Sequence, residues 1–199
     1  MQTKQHKKNI ILDLDQTIIS AEATEEYNFE KNKDKAKNFK YHNMDSYYIV
    51  FERPGLQKFL NFLFSNFNVS VWTAASKDYA LLIIEKIILA NKKNRKLDWV
   101  FFSYHCDISK RLKSGTKDLQ VIWEDFDIPG YSKDNSVILD DYDEVFKTQK
   151  NNCIIAHPFE FTDKNSENDN FLEKLQPELL KFKRSKSHNI VNDINKSLE

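Results

Sequence analysis

Apolar residues in this chain fall into short continuous runs, separated by longer stretches in which they recur every three or four positions, and that alternation dictates the elements. The run Ile10-Ile11-Leu12 predicts a first strand from Asn9 to Asp13 that is buried on both faces. Tyr47 to Phe51 is rich in β-formers, and Pro54-Gly55 then opens a helical pattern through Leu56, Phe59, Leu60, Leu63 and Phe64. Asn68 to Trp72 predicts another strand, followed by a helix over Asp78 to Ala90 that is apolar nearly all round. Strand then helix, twice, implies a parallel sheet. Further strands are predicted at Trp99 to Phe102, Ser136 to Leu139 and Cys153 to Ala156, and a short helix at Thr116 to Trp123. A closing helix over Asn168 to Phe182 carries Phe171, Leu172, Leu175, Leu179 and Phe182 at helical spacing, with Pro177 predicted to kink or restart it.

Three stretches lack this patterning. Residues 1–8 form a polar, basic lead-in, residues 21–45 form an exposed insertion rich in Lys, Asn and Glu, and residues 184–199 form a loosely attached polar tail. The reading is therefore an α/β fold in one domain over residues 1–199, with a central parallel sheet flanked by helices.

Bulk composition narrows the function classes. A chain of 199 residues that is 40% hydrophobic can bury one sizeable core. Its 30 Lys and Arg balance 30 Asp and Glu, so no net field draws in nucleic acid or an anionic membrane. Cys106 and Cys153 stand far apart with no CxxC pair, which argues against a zinc site or a disulfide framework and suits a reducing compartment. The apolar run behind the basic N-terminus is cut by Asp13 and Asp15, so it is no signal-peptide core, and Ala80 to Ala90 is too short and charged to span a bilayer. The expectation is a soluble intracellular protein, nuclear or cytoplasmic, with no membrane partner. Lys183, Arg184 and Lys186 are too thin a cluster to serve as a targeting signal.

The candidate chemistry starts where the first strand ends, at Asp13-Leu14-Asp15-Gln16-Thr17. Alternate residues of an extended segment share a face, so Asp13 and Asp15 emerge side by side while Leu14 turns inward. Open α/β sheets bind ligands at the carboxyl ends of their strands. Asp140-Asp141 follows Val137-Ile138-Leu139 in the same manner. Taken singly, each residue also has a plainer role: an acid can cap a helix, Thr73 can be an N-cap, Lys117 can decorate the surface, and Asp140-Asp141 can start a helix whose dipole favours acids. Glu124, Asp125 and Asp127 fit only the plainer role, and His105 and His157 read as structural.

Order along the chain lifts the set above those alternatives. Asp13-Leu14-Asp15-Gln16-Thr17, Thr73 after Val69-Ser70-Val71-Trp72, Lys117, and Asp140-Asp141 resemble the four motifs of the haloacid dehalogenase (HAD) superfamily. Within it the chain is similar to the small C-terminal-domain (CTD) phosphatases, the NLI-interacting-factor-like group that includes enzymes acting on the tail of RNA polymerase II. The closer match rests on Arg53-Pro54-Gly55-Leu56 with Phe59-Leu60, Trp72-Thr73-Ala74-Ala75-Ser76 with Tyr79-Ala80, Lys117-Asp118-Leu119, and Pro158-Phe159. It spans roughly Asn9 to Phe182. The resemblance implies a Rossmann-like HAD core with a small cap inserted after the first strand, at residues 21–45.

It also implies roles that elementary chemistry supports. Asp13 is the candidate nucleophile, forming an aspartyl-phosphate, and Asp15 the acid that protonates the leaving oxygen and later activates water. Thr73 and the backbone N–H groups after it, Ala74 included, would hold phosphate oxygens; Thr17 would fix the loop, and Lys117 would offset negative charge. Two carboxylates roughly 4 Å apart repel by about 4 kcal/mol at an effective dielectric of 20, so a phosphate among several of them calls for a cation. All-oxygen donors favour Mg²⁺, assigned to Asp13, Asp141 and the main-chain carbonyl of Asp15, with Asp140 a less direct ligand. Many small CTD phosphatases carry Asp-Asn where this chain has Asp140-Asp141, which adds a negative charge here. Arg53 reads as positional rather than catalytic.

The leading expectation is a Mg²⁺-dependent phosphatase acting on phosphoserine or phosphothreonine in an extended protein segment, since an insertion this short cannot roof a metabolite. A nucleic-acid 3′-phosphatase is the first alternative, resting on Lys31 to Lys40 as a local basic surface. A non-catalytic phosphopeptide-binding scaffold of the same fold is the second, disfavoured because Asp13, Asp15, Lys117 and Asp141 are all kept.

Overall fold

The computed structural model describes residues 7–44, 46–187 and 189–198; most of the basic lead-in lies outside them. Five strands form a parallel sheet in the spatial order β6-β5-β1-β7-β8: β1 (Asn9–Leu12), β5 (Asn68–Trp72), β6 (Val100–Phe101), β7 (Ser136–Asp140) and β8 (Cys153–Ile155). Side chains of period two feed the two faces. Ile10, Leu12, Val69, Val71, Val137 and Leu139 join one core, and Ile11, Trp72, Ile138 and Cys153 join the other. The first core packs against helices α2 (Leu56–Asn66), α3 (Lys77–Ile83), α6 (Phe171–Arg184) and α7 (Ile190–Leu198). The second packs against α4 (Ser103–Lys113) and α5 (Asp143–Thr148) through Cys106 and Val145. This is the doubly wound α/β arrangement expected.

The strand expected over Tyr47 to Phe51 does not join the parallel sheet. Those residues belong to β4 (Tyr48–Glu52), which pairs antiparallel with β2 (Ile19–Ala23) and β3 (Tyr41–Met44) in a separate three-stranded sheet. With helix α1 (Phe29–Ala36), capped by Asn28 Oδ1 on Lys31 N at 2.8 Å, this sheet makes a folded unit inserted behind β1. Its own aromatic cluster contains Tyr27, Phe39, Phe51, Phe159 and Phe161, with Phe51 and Phe161 stacked at 3.7 Å between centroids. Residues 21–44 are therefore only partly the exposed segment expected. Their buried apolar side chains, Tyr27, Ala36, Phe39 and Met44, are widely spaced, so no local periodicity announces them.

Three further boundaries differ. Helix α4 escaped notice because its buried face is Cys106 and Ser109, a thiol and a hydroxyl rather than an apolar stripe. The helix anticipated at Thr116 begins later, as a π-helical turn over Val121–Asp125, and leaves Lys117 in the preceding loop. Helix α6 runs unbroken through Pro177, which sits on the solvent side where the carbonyl it orphans meets water.

The tail is not loose. Helix α7 buries Val191 and Ile194, and Asn195 closes the edge of β8 by accepting from Ile155 N at 3.1 Å and donating to Cys153 O at 3.0 Å. Ile194→Ala is expected to cost about 2–5 kcal/mol, lowering Tm by on the order of 10 °C in a thermal melt. An unchanged Tm would mean that α7 does not pack on the core in solution.

Candidate active site

Strand register explains why distant residues meet. Leu12 is level with Val71 on one side and Leu139 on the other, so β5, β1 and β7 end together and the residues just beyond them share one edge. Asp13 N donates to Leu139 O at 3.0 Å, carrying the ladder one step further. Asp13 thereby stands beside Asp140 and Asp141. Thr73 leaves β5 at the same edge, with its N–H on Phe101 O at 3.0 Å.

Lys117 comes from neither sheet nor helix. Its backbone lies in the left-handed region at φ 53°, a conformation that costs a non-glycine residue and is held here by neighbours. Gln149 donates to Lys117 O and accepts from Leu119 N, each at 2.8 Å. Ser109 Oγ donates to Gly115 O at 2.6 Å and accepts from Asp118 N at 2.9 Å. Gly115 permits the close approach to α5, because a Cβ there would lie 3.1 Å from Thr148 Cγ2. Gln149 and Ser109 were not foreseen: a lone Gln after a short helix and a Ser inside one carry no motif.

The Lys117 ammonium is buried and donates to Asp13 Oδ1 at 2.5 Å and Asp140 Oδ2 at 2.7 Å. Burial pulls its pKa down, but the charges of Asp13 and Asp140 outweigh that and push it up, so the lysine stays charged. Asp140 is fully buried, and its other oxygen accepts from Tyr142 N at 2.9 Å, so both of its oxygens are engaged. Thr17 Oγ1 sits 3.0 Å from Asp13 Oδ2 and 3.1 Å from Asp141 Oδ1 while accepting from Asp141 N at 3.1 Å. Its single proton serves one carboxylate at a time. Asp15 lies to the side facing the inserted sheet and accepts from the Tyr79 hydroxyl at 2.5 Å.

Electrostatically the cluster has too many acids. Burial, then the Asp13 charge, lifts Asp140 to about 7, and the same two causes raise Asp141. Burial lifts Asp15 to about 6, with Tyr79 opposing and Asp13 reinforcing. Four carboxylates thus face one ammonium. Asp13, Asp140 and Asp141 each offer an oxygen within 4.8 Å of the others, a donor set that fits a hard divalent cation.

The remaining candidates take other places. Thr73 is buried and its Oγ1 accepts from Ala75 N at 3.1 Å; the cap of α3 is instead Ser76, which accepts from Tyr79 N. Ala74 is exposed on that turn. Arg53 is wholly buried, paired in bidentate fashion with Asp169 at 2.8–2.9 Å and donating to the carbonyls of Thr17 and His157. It braces the back of the Asp13 loop, in keeping with a positional role. His105 accepts from Phe102 N, and Glu124 and Asp125 pair with Lys113 on the surface.

Comparison with known proteins places this site in a lineage. Residues 8–190 match the family described as NLI interacting factor-like phosphatase. The CTD phosphatase-like protein 355R of Invertebrate iridescent virus 6 is 43% identical over 173 residues, covering 85% of this chain and 95% of the relative. The protein of the same description in Invertebrate iridescent virus 3 is 40% identical over 183 residues, covering 89% and 97%. Among solved structures, a variant of the fission yeast RNA polymerase II CTD phosphatase Fcp1 bound to beryllium fluoride aligns with a TM-score of 0.58 at 21% identity. The alignment covers 98% of this chain but only 62% of the yeast chain, and at that identity it speaks for the fold. Since the family match runs nearly end to end and the viral relatives are shared over almost their whole length, the likeness of the motifs is one of descent, and the chain belongs to the NLI interacting factor-like phosphatases, built on the HAD fold.

Proposed function

We propose that the chain is a Mg²⁺-dependent phosphatase that hydrolyses phosphoserine or phosphothreonine in an extended protein segment, with Asp13 as nucleophile. The carrying observation is Asp13 itself, whose two oxygens are held by Lys117 and Thr17 at the end of the central strand. That clamp aims a carboxylate while removing most of its rotational freedom. In the first step an Asp13 oxygen bonds to phosphorus as the ester P–O bond breaks. The electron pair of that bond goes to the leaving oxygen, which takes the Asp15 proton and departs as the alcohol. In the second step Asp15, now a carboxylate, takes a proton from water as the water oxygen bonds to phosphorus and Asp13 is released. A carboxyl lifted to about 6 can hold a proton near neutrality and also give it up, which suits both halves.

Lys117 offsets charge on Asp13 and the phosphoryl oxygens, and Thr73 with the backbone N–H groups after it, including that of Ala74, would receive phosphate oxygens. Asp13, Asp141 and the main-chain carbonyl of Asp15 would hold Mg²⁺, with Asp140 less directly involved. When bound, the ion neutralises the surplus carboxylate charge and that of the phosphate.

The nucleic-acid alternative loses ground at the lysine run. Lys35 bonds the Asp163 carbonyl, Lys37 pairs with Asp34 and Lys40 with Glu52, so much of that charge is already satisfied. Purified protein is expected to hydrolyse p-nitrophenyl phosphate with Mg²⁺, to lose that activity in EDTA and to regain it when Mg²⁺ is restored. It should also show a higher kcat/KM for a phosphoserine peptide than for a 3′-phosphorylated oligonucleotide. Metal-independent turnover would remove the cation from the mechanism, and preference for the oligonucleotide would reverse the substrate assignment.

A further inference from the structure

One residue of the site has no role in the scheme above. Tyr79, on the first turn of α3, places its hydroxyl 2.5 Å from Asp15 Oδ1, and its ring packs edge-on against Tyr48 of the inserted sheet at 5.1 Å between centroids. Tyr48, Tyr79 and Asp15 line one groove of about 420 Å³ with Ala21, Ala75 and Glu160, between the inserted sheet and the start of α3. A leaving group attached to a phosphate on Asp13 has to pass Asp15, and this groove is the open space on that side.

We infer that Tyr79 is the positioning residue for Asp15, occupying Oδ1 so that Oδ2 is left to face the leaving oxygen, and that Tyr48 holds the Tyr79 ring in place. The inference rests on the phosphatase reading and on the role of Asp15 within it. A carboxylic acid has two oxygens and a free χ2 rotation; a donor on one of them selects which carries the transferable proton and stops the rotation. Tyr79 donates throughout and transfers nothing, since burial, then the negative charge of Asp15, raises its own pKa above the ordinary phenol range. Tyr48, which packs on the Tyr79 ring, is supplied by the inserted sheet. The cap would therefore reach the chemistry through an aromatic contact rather than through a catalytic group of its own.

Leaving-group chemistry separates this role from a merely structural one. Serine leaves as a strongly basic alkoxide and needs the acid's proton, whereas nitrophenolate spreads its charge into the ring and needs it far less. Wild type and Tyr79→Phe, which keeps the ring packing, are assayed with Mg²⁺ on a phosphoserine peptide and on p-nitrophenyl phosphate. The expected result is a kcat ratio, peptide over nitrophenyl ester, that falls about tenfold or more, with peptide KM within about twofold. Tyr48→Leu should lower the same ratio by a smaller factor, and it carries the test if thermal melts show Tyr79→Phe to be misfolded. A parallel fall on both esters, an unchanged ratio, or a change confined to KM overturns the assignment while leaving the phosphatase reading intact. A wild-type protein inert toward both esters overturns the two together.

Discussion

Asp13→Asn is expected to abolish phosphate-ester hydrolysis while leaving the chain folded. An amide cannot form the covalent bond to phosphorus, and loss of a nucleophile from a site that works as a unit costs kcat about 10⁴-fold or more. The fold should not suffer, because the substitution keeps an oxygen of nearly the same shape for the Lys117 ammonium, which retains Asp140 as its ionic partner. It also removes one of four carboxylates crowded around a single cation. Stability within about 1 kcal/mol of wild type, or slightly higher, is therefore expected. Single-turnover assays on p-nitrophenyl phosphate with a thermal melt of the same sample check both parts. Near-normal turnover in the variant would rule out Asp13 as nucleophile, whereas loss of the melting transition would show its charge to be structural.

The second large effect is on stability. Lys117→Met leaves the stem volume but removes the ammonium that bonds both Asp13 and Asp140, two buried carboxylates. Stranding buried charge in this way costs about 3–5 kcal/mol, which lowers Tm by on the order of 10 °C in a chain of this size. The pH dependence has a definite sign. Asp140 already has its folded pKa raised to about 7 with the lysine present, by burial and then by Asp13, and loss of the opposing cation extends that rise. An acid whose folded pKa lies above its unfolded value binds more protons when folded, so its contribution to stability is greatest at low pH and is lost as pH rises through the folded value. The gap between Lys117→Met and wild type should therefore stay constant at acidic pH, where both lose stability in parallel, and widen as pH rises beyond about 7, where Asp140 has ionised in wild type but not yet in the variant. A gap that narrows over the same range would mean that Lys117 does not neutralise Asp140. Catalysis should fail as well, since the ammonium bonds Asp13, the proposed nucleophile, directly.

These two variants divide what the site asks of its residues. On the proposed mechanism Asp13 is expected to matter for chemistry more than for folding, and Lys117 for both, because its backbone is strained and its charge is buried. Such strain persists only where surrounding contacts over-determine it. Here they come from Gln149 on one side and Ser109 on the other, each bonding backbone groups in the Lys117 loop.

Much of this arrangement was legible beforehand, for a physical reason that differs from element to element. The strands of the parallel sheet are short apolar runs because both faces are buried, and the residue after each run must stand at the sheet's edge, so Asp13, Thr73 and Asp140 could be placed without coordinates. Helix α2 was legible because one face is continuously apolar. Helix α4 was not, because it buries a thiol and a hydroxyl, and β2 and β3 were not, because β2 meets its partner β4 only beyond α1 and β3, β3 is the short and largely polar run Tyr41-His42-Asn43-Met44, and the core beneath them is built from scattered aromatics.

What the amino-acid order determined by itself was local: which segments are strand or helix, and which acids, threonines and lysine end them, since periodicity and motif spacing are properties of neighbours along the chain. Only the tertiary structure decided which of those groups bond one another: Lys117 between Asp13 and Asp140, Thr17 between Asp13 and Asp141, Tyr79 on Asp15, and the last helix sealing the sheet edge through Asn195. Those pairings depend on strand register and on loops held by single side chains such as Gln149, and most of them join residues far apart in sequence whose partners nothing in the local pattern names.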